Sequence, residues 1–196
     1  SAIISGIIIG SIAPFDASAL VVIVACVVAI MSKFLIKLNG HIFNPATLGL
    51  LISLSIFSLG DEWWAAGASY SILGYAMTLT PLLILANYKA IKLGVSLPFL
   101  LAFAGFSQLT NLVVLNSLDA GGLIRFLDAM PYYFAFIMVS EPRTSPYARN
   151  EQIIFGVLTA VLSVALTVYS IKYSLFIALL LCNLGYAVYR NLRRNS

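Results

Sequence analysis

Apolar residues run in long stretches broken by short clusters of charge, Gly and Asn. The runs fall at about 2–14, 17–36, 45–59, 64–86, 93–115, 122–140, 152–169 and 173–189. A helix that is apolar all round has no face suited to water, and a bilayer crossing takes about 20 such residues. The first and third runs are short by that measure. The pattern predicts an all-α polytopic membrane protein, a single transmembrane domain over residues 1–196 with about seven to eight membrane segments packed as one helical bundle.

The interruptions carry a second pattern. Lys33 and Lys37 follow the second run, Lys89 and Lys92 the fourth, Arg143 and Arg149 the sixth, and Arg190, Arg193 and Arg194 the eighth. The intervening loops hold Asp16, Asp61, Glu62 and Asp119, with Lys172 their only lysine. Basic loops stay on the cytoplasmic side, so the alternation predicts both termini in the cytoplasm. Trp63, Trp64, Tyr132, Tyr133, Tyr169, Tyr173, Tyr186 and Tyr189 lie near segment ends, where amphipathic rings prefer the interface.

Composition agrees: 61% of residues are hydrophobic and 9% charged, against about 25% charged in an average soluble domain. A soluble globule, a disordered tail and a nucleic-acid binder are thereby excluded. The net charge of +4 is the topology signal and needs no polyanionic partner. Cys26 and Cys182 lie far apart in apolar runs without a CxxC partner, which favours two small core residues over metal ligation or a disulfide.

Two stretches carry candidate chemistry. In His41-Ile42-Phe43-Asn44-Pro45-Ala46-Thr47-Leu48-Gly49, Asn44 suits an N-cap and Pro45 the first helical position, where no donor is needed. The apolar run that follows is too short to cross. Its start is therefore either a broken helix whose positive end faces a cavity, a means by which membrane proteins hold anionic groups, or an ordinary capped helix on a loop. In Ser140-Glu141-Pro142-Arg143-Thr144-Ser145-Pro146, Pro142 stops one helix, and Thr144 or Ser145 can cap another opened by Pro146. The topology puts both stretches on one membrane face, where they can meet.

Weaker signals are Gln108 and Asn111, which share a helix face with Ser107 and Thr110 nearby, an Arg125–Asp128 pair, and Gly67, Gly74, Gly105 and Gly156 as close-packing positions. His41 is the only histidine, so a bis-histidine haem within the chain is excluded.

Together HIFNPATLGL and EPRTSP resemble the membrane-subunit family of flavin-dependent ion-pumping electron-transfer complexes. That family includes membrane subunits of the Rnf complex and of the sodium-translocating NADH:quinone reductase. Its members carry an Asn-x-Phe-Asn-Pro-Ala-like helix start, matched here by Phe43, Asn44, Pro45 and Ala46. They also carry a later acidic-Pro-x-Thr-Ser-Pro turn, matched by Glu141, Pro142, Thr144, Ser145 and Pro146. The resemblance covers most of the chain.

The resemblance implies a urea-channel-like helical bundle with a short or broken helix starting near Pro45, in the inner membrane of a prokaryote. It also implies a component of a membrane oxidoreductase that binds flavin (FMN or riboflavin) or a quinone near the cytoplasmic face. Electrons would come from a soluble flavin or NAD(P)H reductase or from other subunits of a redox complex, and a homodimer is a further arrangement it allows. In this reading the helix start at Pro45 faces the cofactor, Asn44 and Thr47 supply hydrogen bonds, Phe43 stacks and Arg143 offsets negative charge. His41, Glu141, Thr144 and Ser145 complete the set. Large-complex members attach FMN through threonine in a Ser-Gly-Ala-Thr-like loop. Here Ala66-Gly67-Ala68-Ser69 has serine at that place, so noncovalent binding is expected. The alternatives from other classes are a small-solute channel or carrier, for instance for a flavin precursor, and a cofactor-free anchoring subunit.

Overall fold

The computed structural model describes residues 2–38, 40–63, 92–115 and 129–195. Among these the elements are helical: α1 (Ala2–Ile12), α2 (Ala19–Leu35), α3 (Pro45–Ile56), α4 (Leu93–Leu115), α5 (Ala129–Tyr133), a π-helix (Phe134–Val139), α6 (Arg149–Val168) and α7 (Ser174–Asn195). Three, over Leu93–Val113, Arg149–Val168 and Ser174–Arg194, are long and apolar enough to cross a membrane. The helices α1 and α3 have 11 and 12 residues, so each is about 17–18 Å long against a hydrocarbon core of about 30 Å. Large apolar side chains point outward along the bundle, among them Ile23 and Val27 of α2, Leu101 of α4, Ile154 and Leu158 of α6 and Leu181 of α7. That surface suits lipid, not water.

Small residues decide which helices touch. A Cβ at Gly49 of α3 would sit 2.3 Å from the Ala25 carbonyl oxygen and 3.1 Å from the Ala29 Cβ. The backbones of α2 and α3 therefore meet as only glycine allows, and Ser53 Oγ donates to the Val21 carbonyl at 2.7 Å across the same seam. Gly156 does the same for α6 on α4: its Cβ would lie 2.4 Å from the Val95 carbonyl oxygen. On that face Thr159 and Ser163 return their hydroxyls to carbonyls four residues back, which satisfies them without a partner helix. Gly156 is thus a close-packing position, whereas a Cβ at Gly105 would meet nothing within 4 Å. Gly67, Gly74, Asn116, the Ala66–Ser69 stretch, Arg125 and Asp128 lie outside the described residues. Ser107, Gln108, Thr110 and Asn111 are half-buried on α4. Cys26 on α2 and Cys182 on α7 are free and partly buried.

An aromatic cluster fills the centre. Trp63 meets Tyr133 and Phe134 edge-on at 6.2 and 6.0 Å and Phe176 at 5.5 Å, while Phe99 packs on Phe134 at 5.4 Å. Such rings bury much surface in few residues.

The helices share two ends of opposite character. At one, Glu62 accepts from the Phe15 amide at 3.0 Å, Lys172 reaches the Ser58 carbonyl at 3.2 Å, and the Tyr173 hydroxyl donates to the Leu54 and Leu59 carbonyls. At the other lie Lys33, His41, Lys92, Arg143 and Arg190, joined by contacts that cross between helices. Basic loops that alternate in sequence come to a common end in space.

Candidate functional site

The site grows from the start of α3. Asn44 caps this helix: its Oδ1 accepts from the Thr47 amide at 3.1 Å, with Pro45 at the first helical position. Its Nδ2 donates to the Met138 carbonyl at 3.0 Å, 94 residues away. That carbonyl lies in the last turn of the π-helix, where it also takes the Glu141 amide at 3.5 Å, and its second lone pair accepts Asn44. Two more π-helix carbonyls receive hydroxyls: Ala135 from Ser96 at 2.9 Å, and Phe136 from Ser140. The wide turn thereby docks on α3 and α4 and delivers the Glu141–Pro146 turn beside His41.

Within that turn Thr144 Oγ1 donates to Glu141 Oε2 at 3.1 Å and Ser145 Oγ to the Glu141 carbonyl at 2.7 Å. Neither caps a helix. The expected helix at Pro146 instead opens at Arg149 behind Ala148, which makes no side-chain cap. The reason is Lys92, whose ammonium donates to the carbonyls of Pro142, Ser145 and Pro146 at 3.1, 2.8 and 2.9 Å and lies 3.8 Å from the Tyr147 ring centroid. Gln152 adds a bond to the Pro146 carbonyl at 3.2 Å. Carbonyls gathered on one cation hold the chain in a turn. Burial draws the Lys92 ammonium down to about 8.

The turn places Arg143 on His41, with Nη1 3.2 Å from Nε2. A guanidinium only donates, so Nε2 accepts and the proton of the neutral ring sits on Nδ1. Burial, then the Arg143, Lys37 and Lys33 charges, lowers the His41 pKa and keeps the ring neutral. Its Nδ1 is buried without a hydrogen-bond partner, and so is the hydroxyl of fully buried Thr47. Burial pushes the Glu141 carboxyl up to about 7, with the Thr144 hydroxyl, Lys33 and Arg143 opposing. The result is a half-buried acid that exchanges its proton near neutrality, in the field of several cations.

The residues expected from the sequence divide in two. Asn44, Pro45, Thr144 and Ser145 spend their groups inside the protein as cap, clamp and turn. Asn44 is therefore at least a positioning residue: each of its two amide atoms makes one hydrogen bond within the protein, and the side chain is buried. His41, Thr47, Glu141 and Arg143 retain free capacity, and half-buried Phe43 adjoins them in sequence. Lys92, Gln152 and Arg190 escape a reading of the sequence as site residues. Lys92 reads there only as an orientation charge, and nothing local tells that it collects carbonyls 50 or more residues on. Among the described residues no group of three His, Cys, Asp or Glu is placed to hold a metal. No protein-family model matches the chain, and no curated protein matches it in sequence.

Proposed function

We propose that this chain is a membrane-embedded electron-transfer subunit of a flavin-dependent redox complex, with a flavin held noncovalently, or a quinone, at its basic end. The observation that carries the reading is the convergence of the two motifs, which His41–Arg143 joins across 102 residues, with Asn44 bonded to the Met138 carbonyl just ahead of the second. It is joined by the resemblance of both motifs to the membrane subunits of such complexes.

The residues fit the group. The orphaned His41 Nδ1 donor and Thr47 hydroxyl each want an oxygen acceptor or donor, which a flavin or quinone carbonyl or a flavin phosphate supplies. When bound, either group supplies the reversible electron chemistry that these side chains lack. The chain's own work is then to bind, orient and balance charge. His41 would donate through Nδ1, and Arg143 would set the histidine tautomer and offset negative charge. Phe43 would offer an aromatic face. Glu141 would hold or release a proton near pH 7, in reach of the same cations. In this reading the basic end faces the cytoplasm of a prokaryote, a soluble reductase docks there, and both termini lie on that side.

The test is a visible spectrum of detergent-purified protein before and after acid precipitation. Yellow colour released by acid is expected, and the His41→Ala/Arg143→Ala variant should retain at most about a tenth of it, as expected when a charge-assisted contact is lost. Colour that stays in the acid pellet refutes noncovalent binding. Full retention by the double variant moves the cofactor elsewhere, and folded wild-type protein that binds neither added FMN nor a quinone sinks the proposal.

A further inference from the structure

We propose that the groove between α6 and α7 holds an anionic phospholipid, one acyl chain lying along the helices and the phosphate in an arginine basin at their basic end. The groove encloses about 440 Å³ and is walled by Ile154, Leu158 and Leu162 of α6 and by Leu181, Gly185 and Tyr186 of α7. It adjoins a second hollow of about 320 Å³, since Glu151, Tyr186 and Tyr189 line both. Arg190, Arg193 and Arg194 complete that second hollow. An apolar trough joined to a cationic basin has the two-part form of a lipid anion.

Depth supports the match. Ile154 to Leu162 covers about 12 Å of helix inside a span long enough to cross the bilayer, at the level of acyl chains. The arginines stand where the α7 span ends, at the level of headgroups. Charge selects the class of headgroup. Glu151 takes one positive charge through Arg193 Nη1 at 2.9 Å, so three arginines against one carboxylate leave two in excess. Arg190 gives Nη2 to the Leu38 carbonyl at 3.1 Å, while its Nε is buried with no partner. A phosphodiester in the hollow balances the excess charge. A zwitterionic lipid or a neutral isoprenoid would fill the trough and leave the excess charge unmet.

The test uses the full chain in uncharged detergent with dioleoyl phosphatidylglycerol or dioleoyl phosphatidylcholine added, and bound lipid counted by native mass spectrometry. Phosphatidylglycerol should be retained in preference. Arg194→Gln, at an exposed position, should weaken phosphatidylglycerol about fivefold and leave phosphatidylcholine unchanged. A Cβ at Gly185 meets nothing within 4 Å and Gly185 lines the trough, so Gly185→Leu should fill part of it and lower retention of both lipids. Circular dichroism of each variant shows that the fold is kept. Equal retention of the two lipids, or indifference to Arg194→Gln, overturns the anionic headgroup. Full loading of Gly185→Leu overturns the groove. Displacement of phosphatidylglycerol by equimolar decylubiquinone assigns the trough to a neutral ligand and overturns the proposal as well.

Discussion

Replacing Glu141 by Gln changes one atom of a half-buried side chain and removes its ability to ionise. The carboxyl titrates at about 7 in the folded chain against 4.5 for an ordinary glutamate, because burial penalises the charged form. The folded state therefore holds a proton that the unfolded chain has already released between those two values. Stability must fall as pH rises from about 4.5, and the loss is complete once pH exceeds about 7. A difference of about 2.5 pKa units corresponds to about 3 kcal/mol. Glutamine stays neutral throughout and can still accept the Thr144 hydroxyl, so Glu141→Gln should match wild type near pH 4.5 and exceed it by up to about 3 kcal/mol at pH 8. In a domain of this size that is about 6–12 °C in Tm. The assay is thermal unfolding in detergent at one fixed scan rate, followed by tryptophan fluorescence at half-unit steps from pH 4.5 to 8.5. A wild-type-minus-variant difference that stays constant across that range would show that Glu141 is not held protonated. The account of its burial would then be wrong.

Two packing predictions follow from the same geometry. Gly49→Ala should force α2 and α3 apart, because the new methyl would lie 2.3 Å from a backbone oxygen that has no rotamer with which to retreat. A loss of about 1–3 kcal/mol in urea or thermal unfolding is expected, and an unchanged midpoint would refute the close crossing. Lys92→Met strips the Pro142, Ser145 and Pro146 carbonyls of their shared donor. It should cost about 3 kcal/mol and speed protease cutting within residues 141–148, whereas unaltered cutting rates would show that the lysine does not hold the turn.

The solvent of this protein and the local chemistry of its helix starts are legible in hydropathy and residue spacing alone. Apolar runs with so few charges have nowhere to go but lipid, and they marked out α2 to α4, α6 and α7 to within a few residues except at the end of α7. The Asn44–Pro45 cap was legible for a local reason: its donor, acceptor and missing N–H all lie within four residues. The basic alternation likewise foretold one cationic end. Tertiary structure decided the rest. Nothing in Phe134–Val139 announces a π-helix, because its carbonyls accept from Asn44 and Ser96, side chains at least 39 residues away. The spacing of the turn after it points to a helix capped ahead of Pro146, but a distant lysine gathers its carbonyls and α6 starts at Arg149. The tautomer of His41 and the shifted proton of Glu141 exist only because those helices meet. Propensity and hydropathy act over one or two turns of chain, whereas desolvation and long-range hydrogen bonds depend on which backbones can approach, and here Gly49 and Gly156 set that approach.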